Sequence, residues 1–483
     1  MNIRRLTRSA LLALAAASAV VAQDTRPVAF TNAKLVTISG ASIERGTLVV
    51  KNGKIEAIGA DVVVPPGARV VDGDGLVIMP GLVSAVSRAG LVDRRPAPAM
   101  PMPTGRRGGR GDFEMPPTGG NAVNQATTKV VQSLQPKQPV FGELLRLGVT
   151  SLALSPTGSG FPGFGALLRP DGKTLEQLTV DDDAFVQIVM SRDASTKKLL
   201  KEQFEKAKKV VEERKKPPEK PAEKPAPAAD AKPADPKPAD SKTEPPKGNE
   251  PPKPEPKPEP KPEPKPEPKP EPKPEPKQEP KPETPPTPPP QPAAPKDPNV
   301  EVLADLLENK TRAIVQIDSA ADFLHWQQVV PDDVKFQRAI AVLRHDTQGG
   351  TIDRVLEQAK AMQCPVLMPP DLTTLPRSRS LVHPARALHD AGIDVGFVIG
   401  DTPQAARFLF FRLMELVRHG LPADVALRGI TLVPAKVLGI DAKVGTLEVG
   451  KAANLLVFRG DPLSPAGELT SVWLDGREVG KEP

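Results

Sequence analysis

Tyrosine is absent from the 483 residues, cysteine occurs once, tryptophan twice and histidine five times. Each scarcity excludes something. The single thiol, Cys364, cannot close an internal disulfide, and a chain of this length can bury a core without one. Set in Ala361-Met362-Gln363-Cys364-Pro365-Val366, it reads as a small buried apolar residue rather than a nucleophile. Aromatic residues make up 3% of the chain, too few for the stacking platforms of a nucleic-acid binder. The formal charge of +6 does not revive that idea. Arg4, Arg5 and Arg8 belong to a leader, and the remaining excess concentrates only at Arg94, Arg95, Arg106, Arg107 and Arg110, in a Gly/Pro-rich run. No nucleic-acid partner is expected.

A membrane-spanning run is missing too. The apolar stretch from Ala10 to Val21 falls short of the roughly 20 residues a span needs. Preceded by basic residues and closed by Val20 and Ala22, it makes residues 1–22 read as a secretory signal cut before Gln23. The expectation is an exported protein, periplasmic or extracellular in a bacterium, with no membrane span once the signal is gone. No cysteine follows the cut, so no lipid anchor is expected there.

Proline, by contrast, is abundant. The chain has 61, where an average of about 5% would give roughly 24. Of these, 34 lie between Pro217 and Pro298, a stretch with 15 lysines against 16 acidic residues. A Lys-Pro-Glu-Pro tetrad repeats from Lys253 to about Glu283. Alternate prolines remove hydrogen-bond donors and push the residues before them away from helix. Residues 215–298 therefore read as a disordered, polyproline-like insert, a semi-rigid spacer in solvent or an arm reaching an envelope component.

Outside the insert two textures alternate. Residues 23–80 are strand-like, with Val28 to Ile38, Thr47 to Val50 and Ile55 to Ile58 separated by turn signals such as Asn52-Gly53. The end of the chain, 441–483, repeats the style, which suggests that both ends meet in one small β-sandwich. Between them, apolar runs at Val149 to Leu154, Ala313 to Ile317, Ala339 to Leu343, Val366 to Met368 and Val395 to Ile399 alternate with helical stretches. That rhythm argues βα units and a parallel sheet or barrel. The barrel halves fall at 81–214 and 299–440. An incomplete barrel is one outcome, because 93–140 is Gly/Pro-rich and poor in strand pattern.

Three passages carry a more specific likeness. Phe30-Thr31-Asn32-Ala33 leads through Asn52-Gly53-Lys54-Ile55 to Met79-Pro80-Gly81-Leu82. Gly420-Leu421-Pro422 leads through Ala426-Leu427-Arg428 to Pro434-Ala435-Lys436-Val437-Leu438-Gly439. Val444-Gly445-Thr446-Leu447-Glu448-Val449-Gly450-Lys451 is followed by Asn454-Leu455 and Gly460-Asp461-Pro462. In this order the passages resemble the amidohydrolase superfamily, in particular its exported imidazolonepropionase-like branch. The resemblance implies an α/β fold, a TIM-like (β/α)8 barrel with a small β-sandwich from both chain ends. It also implies metal-dependent hydrolysis of non-peptide, often cyclic, C–N bonds at the C-terminal ends of the strands.

The positions where that family holds its metal are altered. Val86 and Arg88 stand where the resemblance implies a His-x-His pair, Arg192 where it implies a ligating glutamate, and Gln316 where it implies a histidine. His345 and Asp401 match the retained histidine and aspartate, the latter the proton-handling residue of active members. A catalytic zinc takes about three protein donors and an open position. Only His345 and Asp401 remain as candidate metal ligands, with Asp401 the candidate catalytic residue. Arginine is permanently cationic, so Arg88 and Arg192 oppose a dication, and Arg88 is expected to pair with Asp401. The first reading is therefore an impaired enzyme without a cofactor, acting as an exported binding protein for a small molecule or envelope component. The alternative is an active hydrolase with a reduced site holding zinc or another divalent metal. Homo-oligomers are compatible with both. Of the other histidines, His325 reads as surface or packing, His383 and His389 as solvated, and His419 as a helix C-terminal cation.

Overall fold

The computed structural model of the protein describes residues 26–91, 122–215, 296–330, 334–344, 351–375 and 377–480. The leader, the Arg-bearing Gly/Pro run, the Lys/Pro/Glu insert and His345 lie outside the described residues. In chain order the strands begin with β1 (Val28–Leu35), β2 (Ile43–Lys51), β3 (Lys54–Gly59), β4 (Arg69–Asp72) and β5 (Leu76–Pro80). Then come β6 (Leu82–Ser87), β7 (Val123–Asn124), helix α1 (Val140–Arg146), β8 (Val149–Leu154) and β9 (Gly160–Leu168). Helix α2 (Leu175–Leu178), β10 (Thr179–Val189) and α3 (Ala194–Lys215) precede the insert. After it follow α4 (Pro298–Leu307), β11 (Ala313–Gln316), α5 (Ala320–Val329), β12 (Arg338–Ala341), α6 (Leu356–Ala361) and β13 (Val366–Met368). A short hairpin, β14 (Thr373–Thr374) and β15 (Leu381–Val382), leads to α7 (Pro384–Asp390) and β16 (Val395–Phe397). Helices α8 (Pro403–Arg407), α9 (Leu409–Arg418), α10 (Ala423–Arg428) and α11 (Leu432–Leu438) run to β17 (Leu455–Arg459), β18 (Glu468–Leu474) and β19 (Arg477–Glu478).

The two chain ends share one sheet, ordered β19-β18-β17-β5-β1-β2-β3 with β4 on β1. Its seam is the antiparallel pair β5–β17, with Pro80 opposite Leu455 and Leu76 opposite Arg459. The hairpin β2–β3 turns at Asn52 and Gly53, with φ of 50° and 78°. Two positive φ values in succession match the twist of the strands they join, which is why Asn-Gly marks such turns. Phe30, Leu48, Ile78, Leu455 and Trp473 are buried here, with the Phe30 and Trp473 rings edge to face at 5.1 Å. Each fully buried side chain of this kind contributes about 1.5–3 kcal/mol.

The second sheet runs β6-β8-β9-β10-β11-β12-β13-β16. Gly429 and Ile430 bridge its two edges: the Gly429 carbonyl accepts from Phe397 N–H at 2.7 Å and the Ile430 carbonyl from Val83 N–H at 3.0 Å. This brings the sheet close to a TIM-like barrel, and Val83, Ala85, Ala153, Phe185, Ile314, Ala341 and Leu367 cluster as one core. Regular parallel alternation is broken once, because β9 runs antiparallel to both β8 and β10. The reason is connector length. Five residues separate β8 from β9, and ten separate β9 from β10. A parallel return needs a dozen or more. All the other strands of this sheet on its main path point the same way, so Ser87, Val189, Gln316 and the chain after Phe397 emerge at one mouth.

Helix α3 packs outside this sheet through Leu200, Phe204 and Ala207, spaced four and three residues apart. Phe204 stacks on Phe336 at 5.9 Å and meets Phe161 edge-on at 5.5 Å. At the far end of α3, Arg214 donates to Asp305 at 2.8 Å and Glu308 at 2.7 Å, and pairs also with Glu301, all on or beside α4. Phe408 separates α8 from α9. No helix among the described residues is long and apolar enough to cross a membrane.

Candidate functional site

At the β6–β16 side of the mouth the chain turns through Gly400, whose φ of +100° suits glycine, and presents Asp401 to β6. Asp401 Oδ1 accepts two hydrogen bonds, from Ser87 Oγ at 2.9 Å and from the backbone N–H of Arg88 at 2.7 Å. Ser87 Oγ in turn accepts from Ala89 N–H at 3.1 Å. Burial pushes the Asp401 carboxyl above the ordinary range, and the Arg88 N–H, the Ser87 hydroxyl and the Arg88 charge pull it partly back. Arg88 thus reaches Asp401 through its main-chain N–H.

The β10–β12 side is ionic. Arg192 Nε donates to Asp322 Oδ1 at 3.0 Å. The Asp322 side chain is only 6% exposed. Its other oxygen accepts from Ser319 Oγ at 2.6 Å, and Ser319 caps α5 by accepting from Asp322 N–H at 3.1 Å. Beside them, Asp318 accepts from Arg344 Nη2 at 3.3 Å and from Gln316 Nε2 at 3.4 Å. Burial raises the Asp318 carboxyl, Arg344 and Gln316 oppose the rise, and neighbouring Asp322 adds to it.

Below the rim the barrel interior is lined by Val86, which is buried and packs with Ala85, Ala153 and Val398. Gln187 is two residues from the interior Phe185, and strand alternation sets it on the same face. Its Oε1 is buried without a hydrogen-bond partner, as is Ser155 Oγ just past the end of β8. Buried polar atoms left this way are commonly met by water or a ligand.

These residues do not fit a catalytic zinc. Val86 has no donor atom, Arg88 and Arg192 carry fixed positive charge, and Gln316 offers a neutral amide already turned toward Asp318. Asp401 alone among the described candidates is a good ligand, short of the three a catalytic site uses. His345 lies outside the described residues. Among the described residues the one converging group of three or more candidate ligands is Asp181, Asp182 and Asp183, near the start of β10 and away from the mouth. Lys129 is paired there, 2.7 Å from Asp182 and 3.6 Å from Asp183.

Nothing local in the sequence marks Ser87, Asp318 or Arg344, whereas Ser319-Ala320-Ala321-Asp322 carries the Ser-x-x-Asp signature of a helix cap. His383 is a correction: rather than being solvated, it is partly buried. Its Nδ1 accepts from Arg386 N–H at 3.1 Å, and its Nε2 lies 3.0 Å from the Leu416 carbonyl. Burial lowers its pKa. His419 closes α9, with Nδ1 2.8 Å from the Glu415 carbonyl. Burial pushes the Cys364 thiol up to about 11, the behaviour of an inert cysteine.

Comparison with known proteins agrees with this architecture. Residues 306–479 match the model of the amidohydrolase family. The imidazolonepropionase of Sphingopyxis alaskensis is 31% identical over 116 residues, 23% of this chain and 28% of that protein. The amidohydrolase tasK of Hapsidospora irregularis is 28% identical over 98 residues, 20% of this chain and 10% of that protein. The chain thus spans well under a third of the length of these curated relatives. A solved amidohydrolase from Thermotoga maritima covers 94% of this chain and all of its own, with a TM-score of 0.64 and 19% identity. That likeness shows that the amidohydrolase fold extends beyond the matched domain.

Proposed function

We propose that this is an exported amidohydrolase-fold protein that has given up metal-dependent hydrolysis and binds a ligand, a small molecule or an envelope component, at the barrel mouth. The observation that carries the reading is the Arg192–Asp322 pair. A fixed cation, anchored by a buried carboxylate, stands where the family resemblance implies a ligating glutamate. At close range such a charge repels a dication, and no side-chain rotation converts it into a donor. Val86 and Gln316 weaken the same donor set from two other strands. The unpartnered oxygens of Gln187 and Ser155 supply polar anchor points for a ligand inside the mouth. Metal analysis of the full chain, purified without chelators and then offered zinc, tests the reading. Less than about a tenth of an equivalent is expected, while near-stoichiometric zinc, manganese or iron would overturn it. In that event the alternative takes over: an active hydrolase on C–N bonds, with His345 and Asp401 as the ligand pair and Asp401, whose proton affinity burial raises, as general base.

A further inference from the structure

A cleft distinct from the barrel mouth lies where the chain-end sheet meets α10. It holds about 470 Å³, within the size range of small-molecule sites. Val36, Ile38, Leu427 and Leu463 supply apolar walls. Asp424 and Arg428 also line it, one helical turn apart on α10. That spacing puts their Cβ atoms about 5–6 Å apart, in the order that favours an ion pair. The pair is nevertheless not made, and neither charged group has a hydrogen-bond or ion-pair partner among the described residues. The other charges of the cleft are engaged. Lys34 is paired with Glu44 at 2.9 Å, and Asp461 Oδ1 accepts from Leu463 N–H at 2.8 Å.

The facing wall is strained. Ile38 has a φ of +71°, a conformation that a β-branched residue holds only under constraint. Thr37 fixes the turn: its Oγ1 accepts from Gly40 N–H at 3.3 Å and lies 3.1 Å from the Gly40 carbonyl. Strain of this kind gathers at ligand-binding positions, where the surrounding structure holds a side chain in place for contact.

We propose that this cleft binds a free apolar α-amino acid as its zwitterion. Arg428 takes the carboxylate, Asp424 takes the ammonium, and the aliphatic side chain lies between Ile38 and Leu427. A head group with both charges suits two opposite charges held one turn apart, and an apolar body suits the walls. The inference is independent of what occupies the barrel mouth. Isothermal titration of the full chain with L-leucine tests it. Saturable one-to-one binding is expected, with leucinamide (no carboxylate) and 4-methylpentanoate (no ammonium) each at least about tenfold weaker. Arg428→Met should abolish the preference for leucine over leucinamide, and Asp424→Asn the preference over 4-methylpentanoate. Both variants should keep the wild-type thermal midpoint. Absence of leucine binding at millimolar concentration overturns the proposal, as does leucine binding unchanged in Arg428→Met. Binding lost in Asp401→Asn but retained in both cleft variants overturns it too, by moving the amino acid to the mouth.

Discussion

On the β6–β16 side of the mouth, Asp401 is held by neutral donors, a hydroxyl and a backbone amide. On the β10–β12 side, Asp322 and Asp318 are each met by an arginine. Both arrangements keep a carboxylate under cover, but the energy at stake differs. Deleting a neutral donor forfeits a hydrogen bond. Deleting Arg192 strands the Asp322 charge away from water, which costs more.

The largest effect should come from Arg192→Ala. A fully buried pair broken from one side costs about 3–5 kcal/mol. Arg192 is about half exposed, so solvent screening reduces the expectation to about 2–3 kcal/mol, read from urea unfolding midpoints. A loss no larger than that of an ordinary surface arginine would erase the contrast between the two sides. Ser87→Ala comes next, at about 1–2 kcal/mol, for the hydrogen bond donated to a partly buried carboxylate and the one accepted from Ala89 N–H.

The same side should show itself in pH dependence. The folded Asp401 carboxyl lies above its unfolded value because of burial. Its contribution is therefore fully present below the ordinary carboxylate range and is lost as pH rises through the folded pKa. Asp401→Asn, which keeps an acceptor for Ser87 and Arg88, should flatten that fall in a stability-versus-pH series. Some slope should remain, since Asp318 is shifted in the same direction. A variant whose profile overlays the wild type would show that Asp401 is not buried in its charged form. Arg344→Ala is the smallest change, about 0.5 kcal/mol and weaker in high salt. Its side chain is 43% exposed and its contact with Asp318 spans 3.3 Å.

The sequence exposes most of this fold where local chemistry decides the outcome. Asn52-Gly53 announces its turn, Val366 to Met368 its strand, and Ala194–Lys215 its amphipathic helix. The reversed strand β9 is harder to see. Gly160-Phe161-Pro162-Gly163-Phe164-Gly165-Ala166-Leu167-Leu168 is buried nearly throughout, so it lacks the alternation that identifies a strand with one wet face. Its short connectors were the only signal. The candidate site shows the same division. Valine and arginine, at positions where the family resemblance implies ligands, declare their chemistry by residue type alone. The hydroxyl that holds Asp401 does not, because Ser87 and Asp401 are 314 residues apart and only barrel closure joins them.

The junction at Arg214 has a consequence for how this chain can change over generations. Its three acidic partners pin the point where the chain leaves α3 to the point where it returns at α4. The ends of the intervening segment are therefore brought together by the folded body itself. Closing a longer loop between fixed ends is inexpensive, about 0.6 kcal/mol for each doubling of length. Tandem four-residue units can then be gained or lost by slippage while the barrel keeps its register. Repeat number becomes a nearly neutral variable, free to follow whatever spacing the protein's surroundings select.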